Sequence, residues 1–238
     1  MEQEKFYNKI MTINFVIKAI FVLIPYLIIS GCTNNTKPTN EQEGAYIIKD
    51  FVLEQNNSVG SKYWHLQSQE AKYDQFNRNI VSFFPKVKIY QNDKPNYLIT
   101  SKELSIIGNG EIVRFVGNVR VIELPLEQIQ ITSNFLEWKP AKYDYFFKGP
   151  TTINRRIKNI SNLEISSKNL KFNSNNGLIQ SDYNINAITK TNNPIEYEYL
   201  FADNLKGNLK KSYIDLLKCK YTKPRKISSN SNICKISW

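Results

Sequence analysis

Large apolar residues alternate with polar ones along three stretches of the chain, residues 81–89, 113–121 and 145–153. Each stretch starts 32 residues after the one before it, so the same pattern recurs at a fixed interval. A turn-type residue occupies the centre of each stretch: Pro85, Gly117 or Gly149. Because the side chains of a β-strand point alternately to its two faces, this alternation predicts strands with one buried and one solvated face.

A second element recurs between these stretches, at residues 98–106, 130–138 and 164–172, with degenerate copies at 64–73 and 200–205. Its common core is a pair of Ser or Thr residues, two polar residues and then Leu-x-apolar. Each repeat is therefore predicted to form two strands, and four to five repeats must stack because a lone hairpin cannot bury its apolar face. The predicted fold is all-β: an open, twisted β-jelly roll or β-sandwich of repeated antiparallel hairpins.

The N-terminus predicts export from the cytoplasm. An apolar run at residues 19–29 leads into Leu-Ile-Ile-Ser-Gly-Cys, which ends at Cys32 and resembles a bacterial lipobox. The lipobox predicts lipidation of Cys32, and several acyl chains would anchor the protein stably. Two alternatives stay open: an uncleaved transmembrane helix over about residues 13–31, in which Lys18 is costly, or release by an ordinary signal peptidase. All three place the remainder outside the cytoplasm.

The chain is predicted to contain four segments. They are a signal or anchor segment at 1–31, a flexible polar tether at 32–43, a repeated-hairpin domain at 44–210 and a basic C-terminal tail at 211–238. In an oxidising compartment, Cys219 and Cys234 of the tail can form one disulfide or remain two unpaired thiols, and the sequence favours neither.

Charge and residue types favour a binding protein. The net charge of +11 is spread along the chain, which suits an anionic membrane surface, an acidic ligand or nucleic acid, and is also typical of a solvated surface. We predict no nucleic-acid partner. His65 is the only histidine, and the sequence has no Gly-rich phosphate loop, no Cys-x-x-Cys and no Gly-x-Ser-x-Gly. We therefore predict that the protein is not an enzyme and uses no cofactor or metal.

Several of these features together resemble the LptC family. Trp64 opens a strand, residues 98–104 read Leu-x-Thr-Ser-x-x-Leu, and Gly117-Asn118-Val119 precedes another such element. The resemblance covers roughly residues 44–210. It implies an open jelly roll whose interior carries the acyl chains of lipopolysaccharide.

The resemblance also implies partners and a location. The implied partners are lipopolysaccharide or a related lipid, inner-membrane ABC transporter subunits, and an LptA-like β-jelly-roll protein that joins strand edge to strand edge. The implied location is the periplasmic face of the inner membrane. The lipobox stands where the family typically has a transmembrane helix, and this departure leaves the outer membrane as an alternative.

The candidate lipid-binding positions are apolar residues at alternate positions of the predicted strands, which therefore share one face. They are Phe83, Val87, Ile89, Val113, Phe115, Val119, Val121 and Phe147. In an open sandwich they line an apolar slot for acyl chains; in a closed sandwich they are the filled core of a structural envelope lipoprotein. Gly117 and Gly149 are expected to allow a bulge or a close backbone approach, and Asn118 to satisfy an edge amide.

Basic residues supply candidate contacts for lipid phosphates. Lys86, Lys88, Arg114 and Arg120 have the opposite parity to the apolar set, and Arg155-Arg156 follows Ile153. Each of these cations is alternatively a solvated surface residue. The predicted function is to accept a lipid in the slot and pass it to a partner.

Overall fold

The computed structural model describes residues 45–57, 60–124, 126–157, 161–191, 197–223 and 226–237. The predicted anchor, the lipobox with Cys32 and the tether lie outside these residues. Among the described residues, no helix is long and apolar enough to cross a membrane.

The described chain folds into fourteen strands, which confirms the all-β prediction. The strands are β1 Ala45–Asn56, β2 Lys62–Asp74, β3 Asn79–Phe83, β4 Lys86–Gln91, β5 Lys94–Thr100, β6 Glu103–Ile107, β7 Ile112–Glu123, β8 Ile129–Lys139, β9 Asp144–Ile157, β10 Ser161–Asn173, β11 Leu178–Thr191, β12 Tyr197–Asn208, β13 Tyr213–Lys223 and β14 Lys226–Ser237. Short 3-10 turns occur at Gly108–Gly110 and Pro140–Lys142.

All fourteen strands belong to one antiparallel sheet. From β7 to β14 each strand pairs with the strand before it, as a chain of hairpins requires. Near the N-terminus, β2 pairs along one side with β1 and along the other with both β3 and β4. Strands β5 and β6 both pair with β7. β1 and β14 are therefore the two edges of the sheet.

The sheet is bent across the middle of its long strands. In β7 the pairing register shifts between Val116 and Val119, where Gly117 and Asn118 have φ values of 76° and 51°. In β9 the bend falls at Gly149, whose φ is 81°. Positive φ is accessible to glycine without steric cost, so glycine suits this position. We call the part of the sheet that contains β4 and β5 half A and the part that contains β3 and β6 half B; the longer strands cross the bend.

Four serines mark the bend on alternate strands, and they explain the Ser-x-x-Leu part of the repeated element. Each hydroxyl donates to the backbone carbonyl two residues later: Ser68 to Glu70, Ser101 to Glu103, Ser133 to Phe135 and Ser167 to Asn169, at 3.0, 2.7, 3.3 and 3.2 Å. A bulge interrupts the ladder of backbone hydrogen bonds, and a buried carbonyl without a donor is costly. The serine supplies the donor within a small volume. Ala202 takes the corresponding position in β12.

The two halves pack face to face around one apolar core. Trp64 in half A contacts Trp138 in half B with ring centroids 5.9 Å apart, and Tyr97 in half A contacts Phe172 in half B at the same distance. The fold is thus a single sheet bent into a sandwich, in agreement with the predicted jelly roll.

The residues beyond 210, set apart as a tail from the sequence, continue this sheet where the structure describes them. Strand β13 pairs with β12 on one side and with β14 on the other, and its residues Ile214, Leu216 and Cys219 are buried on the inward face. A disulfide joins Cys219 to Cys234, with Cα atoms 6.0 Å apart. It connects half A of β13 to half B of β14 and so crosses the bend at the C-terminal edge.

Candidate functional site

Seven of the eight candidate residues lie on the inward face of the sandwich. Val87, Ile89, Val113, Phe115, Val119, Val121 and Phe147 are each 4% exposed or less. They belong to rows of paired residues that run across the strands. One such row is continuous through nine strands: Leu66, Val87, Ile99, Val121, Ile131, Ile153, Ile165, Ala187 and Leu200. All nine are buried, so the inward face forms an apolar track from one side of the sheet almost to the other.

Phe83, the eighth candidate, is placed differently. It is half-buried on the outward face, between Glu70 and Glu103, and Ser82 takes the inward position between Ala71 and Leu104. The cause is the bend of the first repeat, where Phe84 alone adopts positive φ, at 50°, before Pro85. In β7 two residues, Gly117 and Asn118, have positive φ at the bend. Adjacent residues of a strand face opposite sides of the sheet. A bend that is shorter by one residue therefore exchanges the inward and outward positions of the residues before it, so that Ser82 points inward and Phe83 points outward.

The predicted backbone motif forms the bend itself. The carbonyl of Gly117 accepts a hydrogen bond from the amide of Lys102 at 2.8 Å, and the amide of Gly149 donates to the side chain of Asn169 at 3.1 Å. A Cβ at Gly117 would lie 3.1 Å from the Lys102 side chain. Asn118 is exposed at the outer side of the bend.

The interior is enclosed along the side opposite the bend, where the free ends of half A and half B meet. We call this line of contact the seam. The Tyr63 hydroxyl, on half A, donates to the carbonyl of Pro140 on half B, and the Tyr63 ring lies 5.7 Å from the ring of Tyr143. Further along, an Arg155 guanidinium nitrogen, Nη1, donates to the carbonyl of Leu209 at 3.3 Å. Where the structure describes it, the seam is therefore held by single hydrogen bonds and ring contacts rather than by strand pairing.

Three tyrosine side chains beside the seam are buried or half-buried. Burial raises the pKa of Tyr63, Tyr97 and Tyr145, and the nearby Glu123 carboxylate raises that of Tyr97 further. The Tyr145 ring stacks on Trp138 with centroids 5.9 Å apart. The rings and hydroxyl groups of these tyrosines enclose the interior beside the seam.

Two charged residues also face inward beside the seam, Glu123 on β7 and Arg155 on β9. Both are half-buried, and they flank the buried Ile129 of β8. Burial raises the pKa of Glu123, and the cations Arg155 and Lys210 partly counter this effect. Burial lowers the pKa of Arg155, and Glu123 opposes that shift. Glu123 belongs to none of the repeated motifs of the sequence, although its spacing from Val119 and Val121 assigns it to the inward face.

The interior is less enclosed at β1. Tyr46 and Ile48 have the inward parity, since they pair with Tyr73 and Ala71, yet they are 57% and 37% exposed. On the outward parity of the same strand, Ile47 is 61% exposed. Apolar area therefore remains accessible where the inward face reaches this edge.

The basic residues of outward parity differ in their surroundings. Arg114 forms an ion pair with Glu137 at 3.2 Å, and Arg120 donates to Gln130 at 3.0 Å. Lys86 and Lys88 are exposed. Of the Arg155-Arg156 pair, Arg155 faces inward and Arg156 is exposed on the outward face.

The comparison with protein families decides the identity of this sandwich. The family model described as lipopolysaccharide-assembly, LptC-related, matches residues 13–218. The chain belongs to the LptC-related family. It is therefore a component of lipopolysaccharide transport and has the periplasmic, envelope-associated location of that family. The comparison with individual curated proteins gives no match. The match extends past residue 210, in keeping with the pairing of β13 to the rest of the sheet.

Proposed function

We propose that the chain accepts the acyl chains of lipopolysaccharide between the two halves of its bent sheet and passes them on to a partner jelly roll. The observation that carries this proposal is the buried apolar row from Leu66 to Leu200. Neighbouring strands are about 4.8 Å apart, so nine strands offer a track of roughly 40 Å. Burial of apolar area at about 25 cal/mol per Å² supplies the driving force for holding acyl chains along it.

Entry of a lipid requires the halves to separate at the seam. Among the described residues, the bend is secured by backbone pairing and the serine hydrogen bonds, whereas the seam is crossed by single hydrogen bonds such as those of Tyr63 and Arg155. Separation at the seam therefore costs fewer hydrogen bonds than separation at the bend. An acyl chain that entered would replace the contacts that the halves now make with each other.

Two adjacent residues of β1 provide a matched test of lipid entry. Tyr46 and Ile47 are similarly exposed, at 57% and 61%, but face inward and outward respectively. A photo-crosslinking amino acid at Tyr46 should capture lipopolysaccharide when the transporter hydrolyses ATP, and the same amino acid at Ile47 should not. Phe115 and its outward neighbour Val116 give a second inward–outward comparison in the centre of the sheet, although Phe115 is buried and Val116 is exposed. Equal capture at both members of each pair, or none at any inward position, would refute the proposal.

Transfer to the partner would use the free edges of the sheet. Within the described part of the chain, β1 and β14 each have one side without a strand partner, and an unpaired strand side can accept a strand from another protein. We propose an LptA-like jelly roll and the inner-membrane transporter as the proteins bound there. Crosslinkers at Val52 of β1 and Ile233 of β14, 54% and 49% exposed, should yield protein adducts. Val116, 42% exposed in the middle of the sheet, is the control.

A structural envelope lipoprotein is the second candidate function. It is favoured by the filling of the interior, where seven candidate residues are 4% exposed or less. This alternative predicts protein adducts at the edges without lipid adducts at Tyr46 or Phe115. The crosslinking experiment therefore separates the two functions.

The membrane anchor remains a proposal based on sequence. We propose that Cys32 is lipidated and holds the sandwich at the periplasmic face of the inner membrane. Cys32→Ala should release the protein from the membrane fraction and abolish incorporation of radiolabelled palmitate. Retention of the variant in the membrane would instead favour an uncleaved helix over about residues 13–31.

A further inference from the structure

The inward face carries a pair of opposite charges beside the seam. Between β4 and β10, Glu123 and Arg155 are the charged residues among the buried and half-buried inward positions that the structure describes. Both lie at the seam end of their strands, beyond the buried Val121 and Ile153. A charge is expensive to desolvate, and an apolar residue would serve a purely structural core better. At the rim of the apolar track, this pair is placed where the polar part of a bound amphiphile would lie.

Arg155 is held across the seam. Its guanidinium donates to the carbonyl of Leu209 in the loop between β12 and β13, at 3.3 Å. The next residue, Lys210, donates from its ammonium group to the carbonyl of Asn175 at 2.8 Å. Gly177 makes room for the Lys210 side chain, because a Cβ at Gly177 would lie 2.7 Å from it. Two cations from opposite halves of the sheet thus lie along one stretch of the seam, with the Glu123 carboxylate as their anionic neighbour.

An amphiphile bound in the sandwich would present its head group at this rim. Its acyl chains would lie along the apolar row, and its polar end would remain where the two halves meet solvent. We propose that Arg155 and Lys210 bind the phosphate groups of such a lipid, with Glu123 as the carboxylate that the phosphate displaces. This inference rests on the proposed function and adds the polar subsite to it. Arginine binds phosphate through several donors at once, and lysine adds a second positive charge.

The arginine pair itself provides the matched control. Arg155 and Arg156 have the same charge and adjacent positions, but Arg156 is exposed on the outward face. A general attraction between a basic surface and an anionic lipid would depend on both residues, whereas the proposed site depends on Arg155.

The test compares lipids that share their acyl chains and differ in phosphate. The full-length protein, purified in detergent, is titrated with lipid A that carries two phosphates and with the same lipid after removal of both. The unaltered protein should bind the phosphorylated lipid about tenfold more tightly, as expected for charge-assisted hydrogen bonds. Arg155→Gln and Lys210→Gln should each reduce this ratio severalfold, and Arg156→Gln should leave it unchanged.

A further variant is expected to strengthen, rather than weaken, the binding of the phosphorylated lipid. Glu123→Gln removes the anionic neighbour of the two cations, so it should tighten binding of the phosphorylated lipid severalfold without affecting the dephosphorylated one. Thermal unfolding of each variant checks the fold, and Lys210→Gln, at an exposed loop residue, serves if Arg155→Gln is unstable.

The outcomes separate this inference from the function on which it rests. If the unaltered protein binds neither lipid, the proposed lipid-binding function fails. If it binds both equally, or if Arg155→Gln and Arg156→Gln have equal effects on the ratio, lipid binding stands and the phosphate site is overturned.

Discussion

At the scale of single residues, two buried serines illustrate how much depends on a hydrogen-bond partner. Ser82 is fully buried, and its hydroxyl has no hydrogen-bond partner among the described residues. The Ser133 hydroxyl, at the bend, contacts the carbonyl of Phe135 at 3.3 Å and the hydroxyl of Thr151 at 3.2 Å. An unsatisfied buried hydroxyl is unfavourable, whereas a satisfied one stabilises the fold.

The two serines should therefore respond oppositely to alanine. Ser82→Ala is expected to raise the free energy of unfolding by about 1 kcal/mol, and Ser133→Ala to lower it by about 1 kcal/mol. Urea denaturation of the purified protein measures both changes. A loss of stability in Ser82→Ala would show that its hydroxyl has a partner, such as a buried water.

The buried tyrosines predict a loss of stability at alkaline pH. Burial raises the pKa of Tyr145 in the folded protein well above the value of 10.0 for an exposed tyrosine. Above pH 10 the unfolded chain loses this proton and the folded protein keeps it, so rising pH favours unfolding. Relative to Tyr145→Phe, the unaltered protein should lose about 1.4 kcal/mol per pH unit above pH 10. Below pH 9 the difference between the two proteins should stay constant, which provides the internal control.

The alternation of apolar and polar residues predicted the strands correctly, but it did not always predict which residues of a strand point inward. The alternation in residues 113–121 and 145–153 predicted two strands, and the large apolar residues at their inward positions are buried. The same alternation failed at Phe83, because a bend of one residue and a bend of two residues look alike in sequence. The residue type at the inward position, Ser82, gave no indication of burial, since serine is usually exposed.

At the scale of elements, the terminal hairpin shows what a repeat analysis overlooks. β13 and β14 do not continue the repeated motif, but Ile214 and Leu216 retain the period-2 alternation and are buried. The disulfide between Cys219 and Cys234 then links the two halves of the sandwich at this edge. The bond therefore holds the two halves together at the strand that ends the described sheet.

Removal of this disulfide should loosen the C-terminal edge before the rest of the sheet. The two cysteines are 15 residues apart, and a loop of that length gives a stabilisation of about 3 kcal/mol. In the double variant Cys219→Ala/Cys234→Ala, amide hydrogen exchange should accelerate in β13 and β14 while β7 to β9 keep their protection. Reduction of the unaltered protein should reproduce the same pattern. Uniform acceleration across the sheet would instead show that the hairpin unfolds only with the whole sandwich.

At the scale of the whole molecule, the bend could be anticipated from sequence and the seam could not. The glycines and the recurrent serines occur at regular spacings, so their positions in the sequence indicate where each repeat bends. The seam joins Tyr63 to Pro140, 77 residues apart, and Arg155 to Leu209, 54 residues apart. Neither pair shares a motif, because these contacts follow from the angle between the halves rather than from any local pattern. The closed interior therefore emerged only from the three-dimensional structure.

The location of a weakened contact should decide how fast lipid enters. Tyr63→Phe removes the hydrogen bond to Pro140 across the seam, and Ser133→Ala removes hydrogen bonds at the bend. Each should cost about 1 kcal/mol of stability. If the halves separate at the seam, only Tyr63→Phe lowers the barrier to opening, and 1 kcal/mol corresponds to about fivefold in rate. Lipid capture by a crosslinker at Tyr46, followed over time, should therefore accelerate in Tyr63→Phe and stay unchanged in Ser133→Ala. Equal acceleration in both would mean that general loosening, rather than the seam, admits the lipid.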